Sequence, residues 1–267
     1  LKNSRSAIFT SLNLLKSVAI GAVAGMAWFQ LDYTERHVDD IRGYYFFTMT
    51  FWVFDSMFGA LMSFPAENAV IVRERASGSY RLSAYFLAKT TSDAPVRLVL
   101  PLIYMIISYW MIGISTSFVT FVASIGCALL SVVAGEAFGL LVGAAIEDLQ
   151  KAITFMTVSM RSLMLLGGVF VENVPDFLQW AKFLSPFKYA FDSSLQLIFD
   201  HAVPCDGSGV LESLCSGNTN CVTVDEVRDF IGIQGSLGFN VGLLVVLCFI
   251  TRYAAYLFLR HKKAPER

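Results

Sequence analysis

Charge is what this sequence has least of. Asp, Glu, Lys and Arg make up 15% of its 267 residues, where soluble domains carry about 25%. There is too little polar surface to cover a soluble globule, so lipid is the natural solvent for much of the chain. Catalytic signatures are missing as well. No G-x-x-x-x-G-K-S/T loop cradles a phosphate, and no H-E-x-x-H pair offers a zinc site. No G-x-S-x-G elbow presents a serine. The three histidines, His37, His201 and His261, lie far apart in polar segments. No paired acids or Ser/His pair at helical spacing supports an intramembrane hydrolase. The expectation is a chain that is not an enzyme, with no catalytic residue, no metal ligand and no cofactor of its own. Nothing suggests a nucleic-acid partner. No Asn-x-Ser/Thr sequon occurs, so N-glycosylation is not expected.

What is abundant is apolar sequence: 55% of residues are hydrophobic and the mean hydropathy is +0.60. Runs of about 18–25 apolar residues are span candidates, because a helix rises 1.5 Å per residue and the hydrocarbon core is about 30 Å thick. Six such runs are read, at about 9–30, 43–64, 92–112, 118–145, 152–171 and 236–258. They are too long for barrel strands, and in lipid each backbone group must pair within its own segment. The predicted fold is an all-α membrane protein of six transmembrane helices, one membrane domain covering 1–267. No secretory signal peptide is read, since the first apolar run is already span-length. Leu1 in place of an initiator Met suggests a fragment.

Loop charge sets the expected orientation. The stretch 66–97 carries Arg73, Arg75, Arg81, Lys89 and Arg97, and the C-terminal tail carries Arg260, Lys262, Lys263 and Arg267. With Lys2 and Arg5 these share one side when the span number is even, so both termini are expected to be cytoplasmic. The opposite loops are acidic. Residues 172–235 form a long outer loop between helices five and six. Its first part, 174–200, is amphipathic and reads as short interfacial helices. The rest, 201–233, is polar and Gly-rich and holds Cys205, Cys215 and Cys221. An exoplasmic loop is oxidising, so one disulfide among the three is expected. Cys215 and Cys221 are nearest in sequence, but proximity does not fix the pairing. Cys127 and Cys248, in apolar runs, read as buried free thiols.

The cytoplasmic segment after span two reads as follows. Pro65 ends the helix, residues 66–77 form a short charged amphipathic helix, Gly78 turns, and 80–90 lead into span three. Such a helix either receives the push of a soluble partner or anchors on anionic lipid.

Here specific residues carry a resemblance. Glu74-Arg-Ala-Ser-Gly-Ser-Tyr-Arg-Leu-Ser-Ala-Tyr-Phe-Leu-Ala-Lys89 is followed by Asp93-Ala-Pro95, Pro101 and Tyr109-Trp-Met-Ile-Gly113. Ser185-Pro-Phe-Lys-Tyr189 and Thr251-Arg-Tyr-Ala-Ala-Tyr-Leu complete the order. The sequence resembles the ABC-2 type transmembrane domain of G-subfamily (White type) ABC half-transporters over essentially its whole length. The resemblance implies the permease domain of an ATP-driven exporter moving lipid-like or amphipathic small molecules outward. It implies a coupling region at 66–90, with Glu67, Arg73, Glu74 and Arg75 facing a nucleotide-binding domain that binds ATP and Mg. That domain precedes this region in the family and is absent from these residues. A second membrane domain, in a homo- or heterodimer, completes the path in a plasma or organelle membrane. Val169 and Phe170 take the place of the family's outer plug. A passive channel or scaffold of the same fold, without ATP coupling, is the alternative.

Charges inside spans cost about 2.5–3.5 kcal/mol each on insertion scales and so face the bundle interior or a partner. They are Asp55 in span two, Glu136 in span four and Arg161 in span five. Asp55 and Arg161 are expected to approach one another at a central cavity, which the family resemblance implies is lined by spans two and five. A structural ion pair, or Arg161 reaching out to water, is the alternative. Span two carries Phe47, Phe51, Phe54 and Phe58 on one helical face, either to stack a flat apolar substrate or simply to pack. Met160 and Met164 flank Arg161 and suit variable ligands or fill gaps. The expected cavity is thus Phe51, Phe54, Asp55, Met160, Arg161 and Met164. Small residues at four-residue spacing, Gly21 and Gly25 in span one and Gly135, Gly139 and Gly143 in span four, predict close helix packing within the chain.

Overall fold

The computed structural model describes residues 2–76, 82–114, 117–165, 167, 175–205, 221–233 and 235–261. Its elements are α1 Lys2–Ala27, α2 Val38–Ala76, α3 Leu82–Ile112, α4 Phe118–Ala145, α5 Leu149–Leu165, α6 Gln179–Lys182, α7 Pro186–Ile198, β1 Val203–Pro204, β2 Cys221–Val222, α8 Val224–Ile231 and α9 Leu237–His261. Among the described residues three stretches are long and apolar enough to cross a bilayer: Glu35–Ser63, Phe118–Ala145 and Leu237–His261. Shorter apolar helices occupy Ser11–Ala27 and Arg97–Ile112. The predicted span at 118–145 coincides with α4.

Two expected boundaries are corrected. Pro65 does not end a helix: α2 runs unbroken from Val38 to Ala76, so the charged segment after Pro65 is its continuation rather than a separate helix. A proline inside a helix removes one hydrogen bond and costs about 3 kcal/mol. Stopping the helix there would leave a whole turn of carbonyls unpaired, which costs more where water is scarce. Span five, in contrast, is helical over Leu149–Leu165, and Gly167 lies in a turn, while residues 166 and 168–174 lie outside the described residues. A glycine costs a helix about 1 kcal/mol relative to alanine, which favours the turn at Gly167. Residues 77–81, including the Gly78 turn, and the plug residues Val169 and Phe170 lie outside the described residues.

The chain divides into two compact units. The first comprises 1–48, 98–129 and 191–237. Here α1 lies against α3. Ser17 donates to the Leu100 carbonyl at 2.6 Å, and a Cβ on Gly25 would sit 2.7 Å from the Met111 sulfur. Beyond α1, the Gln30 and Leu31 amides reach the Met111 and Ile112 carbonyls, satisfying groups the end of α3 would otherwise leave unpaired. Aromatic side chains fill this unit. Tyr44 and Tyr45 are fully buried, and Tyr44 bonds Ser108 at 2.8 Å while Thr48 bonds the Tyr104 hydroxyl at 3.0 Å. Tyr33 donates to the His201 carbonyl at 2.9 Å. Burial, and then the nearby Asp200 carboxylate, push its phenol up to about 12.

Residues 201–205 and 221–233 are more ordered than their composition predicts. Val203 pairs with Val222 and Pro204 with Cys221 in a short antiparallel ladder. Helix α8 follows, opened by a capping box between Thr223 and Glu226 and closed by Gly232 at φ 75°. The Thr223-x-x-Glu226 spacing is a helix-start signal legible in the sequence. Cys205 is disulfide-bonded and Cys221 is a free thiol. Cys221 therefore leaves the expected disulfide set, and Cys215 lies outside the described residues. Cys127 and Cys248 are buried and free, as expected.

The second unit comprises 49–97, 130–190 and 238–267. Its core gathers Val53, Met57 and Leu61 of α2, Phe138 and Val142 of α4, Ala152, Met156 and Met160 of α5, and Phe187 of α7. The small residues of α4 let it close on α2. A Cβ on Gly135 would fall 2.5 Å from the Val53 carbonyl, and one on Gly139 would collide with the Met57 carbonyl. Close packing within the chain is thus borne out for these glycines, and for Gly21 and Gly25 against α3.

Two outcomes follow. Gly135→Ala lowers the thermal unfolding temperature of the purified protein, at an overpacking cost of about 1–3 kcal/mol. Gly126→Ala, with nothing within 4 Å of its added carbon, does not. Equal melting of both variants refutes the backbone contact. Separately, Cys221 is alkylated without reduction, whereas Cys205 is alkylated only after reduction, as read by peptide mass spectrometry.

Candidate functional site: a charged clamp and an open groove

Two arrangements in the second unit bring together chemistry scattered along the sequence. The first is an ion-pair clamp. Glu136 of α4 is 2% exposed. Arg97 Nε of α3 lies 3.3 Å from its Oε1, and Arg252 Nη2 of α9 lies 2.9 Å from its Oε2. Arg97 Nη1 also donates to the Ser56 carbonyl of α2 at 3.3 Å. One carboxylate thus joins three helices, and a fourth is tied in through its backbone. Glu136 was legible as an intramembrane charge. Its partners were not, because Arg97 reads as a loop cation and Arg252 as the end of a span.

The second arrangement is a groove of about 780 Å³ lined by Thr50, Phe54 and Phe58 of α2 and Thr157, Arg161, Ser162, Met164 and Leu165 of α5. The helical repeat explains this set. Thr50, Phe54 and Phe58 stand four residues apart on one face, as do Thr157, Arg161 and Leu165. Phe54 and Phe58 lie nearly parallel, with ring centroids 6.3 Å apart, and Phe54 also packs on Phe187 at 5.4 Å. The neighbouring face of α5, through Ala152, Met156 and Met160, is buried in the core. This burial fixes the rotation of α5 and keeps Arg161 on its exposed side.

Of the expected cavity residues, the structure brings together Phe54, Arg161 and Met164. It places the others elsewhere. Met160 is 2% exposed inside the core. Phe51 packs edge-on against Trp52 at 5.2 Å and does not line the groove. Asp55 is half-buried, and among the described residues no ion pair or hydrogen bond joins it to Arg161. A residue beside Phe54 points about 100° away around the helix, so Asp55 does not share the groove face. Thr50, Thr157, Ser162 and Leu165 were missed as lining residues, while Phe58, read on the aromatic face of span two, joins them. The four-residue rows through Phe54 and Arg161 are the signal that finds them. Glu67, Arg73, Glu74 and Arg75 fall on the last part of α2, where the backbone is helical.

Long apolar helices, a buried carboxylate bridging three of them and a mixed apolar and hydroxyl groove define a helical membrane domain. Residues 1–199 match the family model of the ABC-2 type transporter, and the chain belongs to that family. It is 33% identical to ABC transporter G family member 21 of Arabidopsis thaliana, over 98% of this chain and 37% of that protein. It is 27% identical to Protein white of Drosophila melanogaster, over 95% of this chain and 37% of that protein. It is 30% identical to the ABC transporter ATP-binding protein/permease wht-1 of Caenorhabditis elegans, over 68% of this chain and 28% of that protein. The resemblance to the membrane domain of G-subfamily, White-type half-transporters is thereby borne out. The chain spans 37% of the length of the first of these relatives.

Replacing Glu136 with Gln leaves two cationic side chains without their shared counter-charge. Breaking such a buried pair costs about 3–5 kcal/mol. Arg252→Met leaves Glu136 still paired with Arg97 and costs less. Thermal unfolding of the two purified variants checks the order, and equal losses refute the clamp.

Proposed function

We propose that this chain is the permease domain of an ATP-driven exporter that moves amphipathic or lipid-like small molecules outward across a membrane. Membership of the ABC-2 type transporter family carries the reading. The name of the wht-1 relative, which joins an ATP-binding protein and a permease, supports ATP coupling. The proposed topology has six spans with both termini cytoplasmic. The nucleotide-binding domain that binds ATP and Mg acts on the 66–90 region. A second membrane domain faces the open groove, and Val169 and Phe170 restrict the exit.

Helix α2 gives this reading a mechanical form. The proposed coupling residues at its C-terminal end and the groove residues Phe54 and Phe58 belong to one continuous helix. From residue 70 to residue 54 is about 24 Å at 1.5 Å per residue. A push at the charged end therefore reaches the groove as a rigid displacement, with no loop to absorb it. The proposed cycle opens the groove to the cytoplasm, closes it when two membrane domains are drawn together, and releases the substrate outward.

The test uses the full-length protein that carries this chain, reconstituted in proteoliposomes. Amphipathic compounds stimulate its ATP hydrolysis and accumulate on the side opposite the ATP. Phe54→Ala weakens the stimulation about tenfold, consistent with loss of one buried aromatic contact. An ATP-independent flux with no stimulated hydrolysis would favour a passive channel and overturn the reading.

A further inference from the structure

Arg161 sits unlike the other cations of this unit that lie within apolar helices. Arg97 and Arg252 share Glu136. Arg161 makes no hydrogen bond or ion pair among the described residues, Asp55 included. Among the described residues no acid lines its groove. Ala152, Met156 and Met160 fill the core about 100° around α5, which leaves Arg161 on the exposed side. An uncompensated charge in an apolar helix is costly, and here it is aimed into a cavity.

The rest of the lining restricts what can neutralise it. Phe54, Phe58, Met164 and Leu165 offer an apolar wall, while Thr50, Thr157 and Ser162 add hydroxyls. About 780 Å³ falls within the range of small-molecule pockets, about 300–1,000 Å³. A guanidinium is a planar fork that pairs two-point with carboxylate, sulfate or phosphate oxygens, and it is weakly hydrated.

We infer that the groove takes an amphipathic anion, with Arg161 as the counter-charge of its head and the Phe54–Phe58 wall against its apolar body. This inference rests on the permease reading and names the substrate class for it. Arg161 is a binding residue in this account and takes no part in chemistry. A cationic amphiphile is disfavoured by the same charge, and a neutral one forfeits the ion pair. A free single-chain carboxylate and the head of an anionic membrane lipid share this chemistry.

The experiment compares dodecanoate, dodecanol and dodecyltrimethylammonium, matched in chain length, as stimulators of ATP hydrolysis by the full-length protein in phosphatidylcholine proteoliposomes. Dodecanoate is expected to act at a concentration about tenfold or more below dodecanol, the size of one charge-assisted contact. The cation is expected to be the weakest. Arg161→Gln shifts the dodecanoate response about tenfold more than the dodecanol response, and Arg161→Lys restores part of it. Arg161→Glu reverses the order of anion and cation. Thermal unfolding of each variant separates a binding defect from misfolding, and Arg161→Lys keeps the test decisive if the neutral variant does not fold. Added phosphatidylglycerol identifies the source. Loss of the dodecanoate response with the same Arg161 dependence points to a bilayer lipid, and its persistence to a free amphiphile. Equal potency of dodecanoate and dodecanol overturns the inference and leaves the permease reading standing. Failure of every amphiphile to stimulate a hydrolysing protein overturns both.

Discussion

The second unit depends on one carboxylate. Glu136 is almost wholly buried, and burying a carboxylate charge without a partner is costly. Two guanidiniums supply that partner from two other helices. Because Arg97 also reaches the Ser56 carbonyl, the same clamp holds α2 next to α4. That is where Gly135 and Gly139 bring no side chain of their own, so that α4 lies against the Val53 and Met57 carbonyls of α2. Charge and absence of bulk thus act together. The glycines permit the approach, and the ion pairs penalise any arrangement that separates the helices. In lipid this matters more than in water, since apolar surface gains little by leaving hydrocarbon for protein.

The groove follows from what the core takes from α5. Three residues spaced by four, Ala152, Met156 and Met160, go inward. The next face around the helix is then Thr157, Arg161 and Leu165. Met160 and Met164 stand four residues apart on one face, yet Met160 is buried in the core while Met164, nearer the end of α5, packs at the core's edge and also lines the groove. Rotation around the helix, about 100° per residue, separates Phe54 from Asp55 on α2.

Continuity is the third constraint. Helix α2 carries the clamp's Ser56, the groove's Phe54 and Phe58 and the charged end beyond Pro65 on one backbone. The proposed coupling draws on that rigidity. Had Pro65 broken the helix, motion at the charged end would dissipate in a turn before reaching the groove. The missing hydrogen bond at proline is a small cost against the pairing preserved on both sides.

Residence in a membrane, helical architecture and family were legible in the sequence. Each is written in local properties: run length, composition, and the ordered motif from Glu74 to Gly113. The span at 118–145 and the glycine contacts were equally direct, since they follow from helical spacing alone. The candidate site was legible only in part. Phe54, Arg161 and Met164 were found because aromatic, charged and thioether side chains stand out in apolar runs. The partners of Glu136 were not, because Arg252 lies 116 residues away and a one-dimensional pattern holds no distance between helices. The ends of α2 and α5, the free thiol at Cys221 and the separation of Asp55 from Arg161 were likewise decided by tertiary structure. The sequence determined that the chain is helical, apolar and charged at a few points within its helices. Only the packed fold decided which of those charges are neutralised and which one, Arg161, is left facing a cavity, because helix rotation is set by the side chains that pack rather than by those that do not.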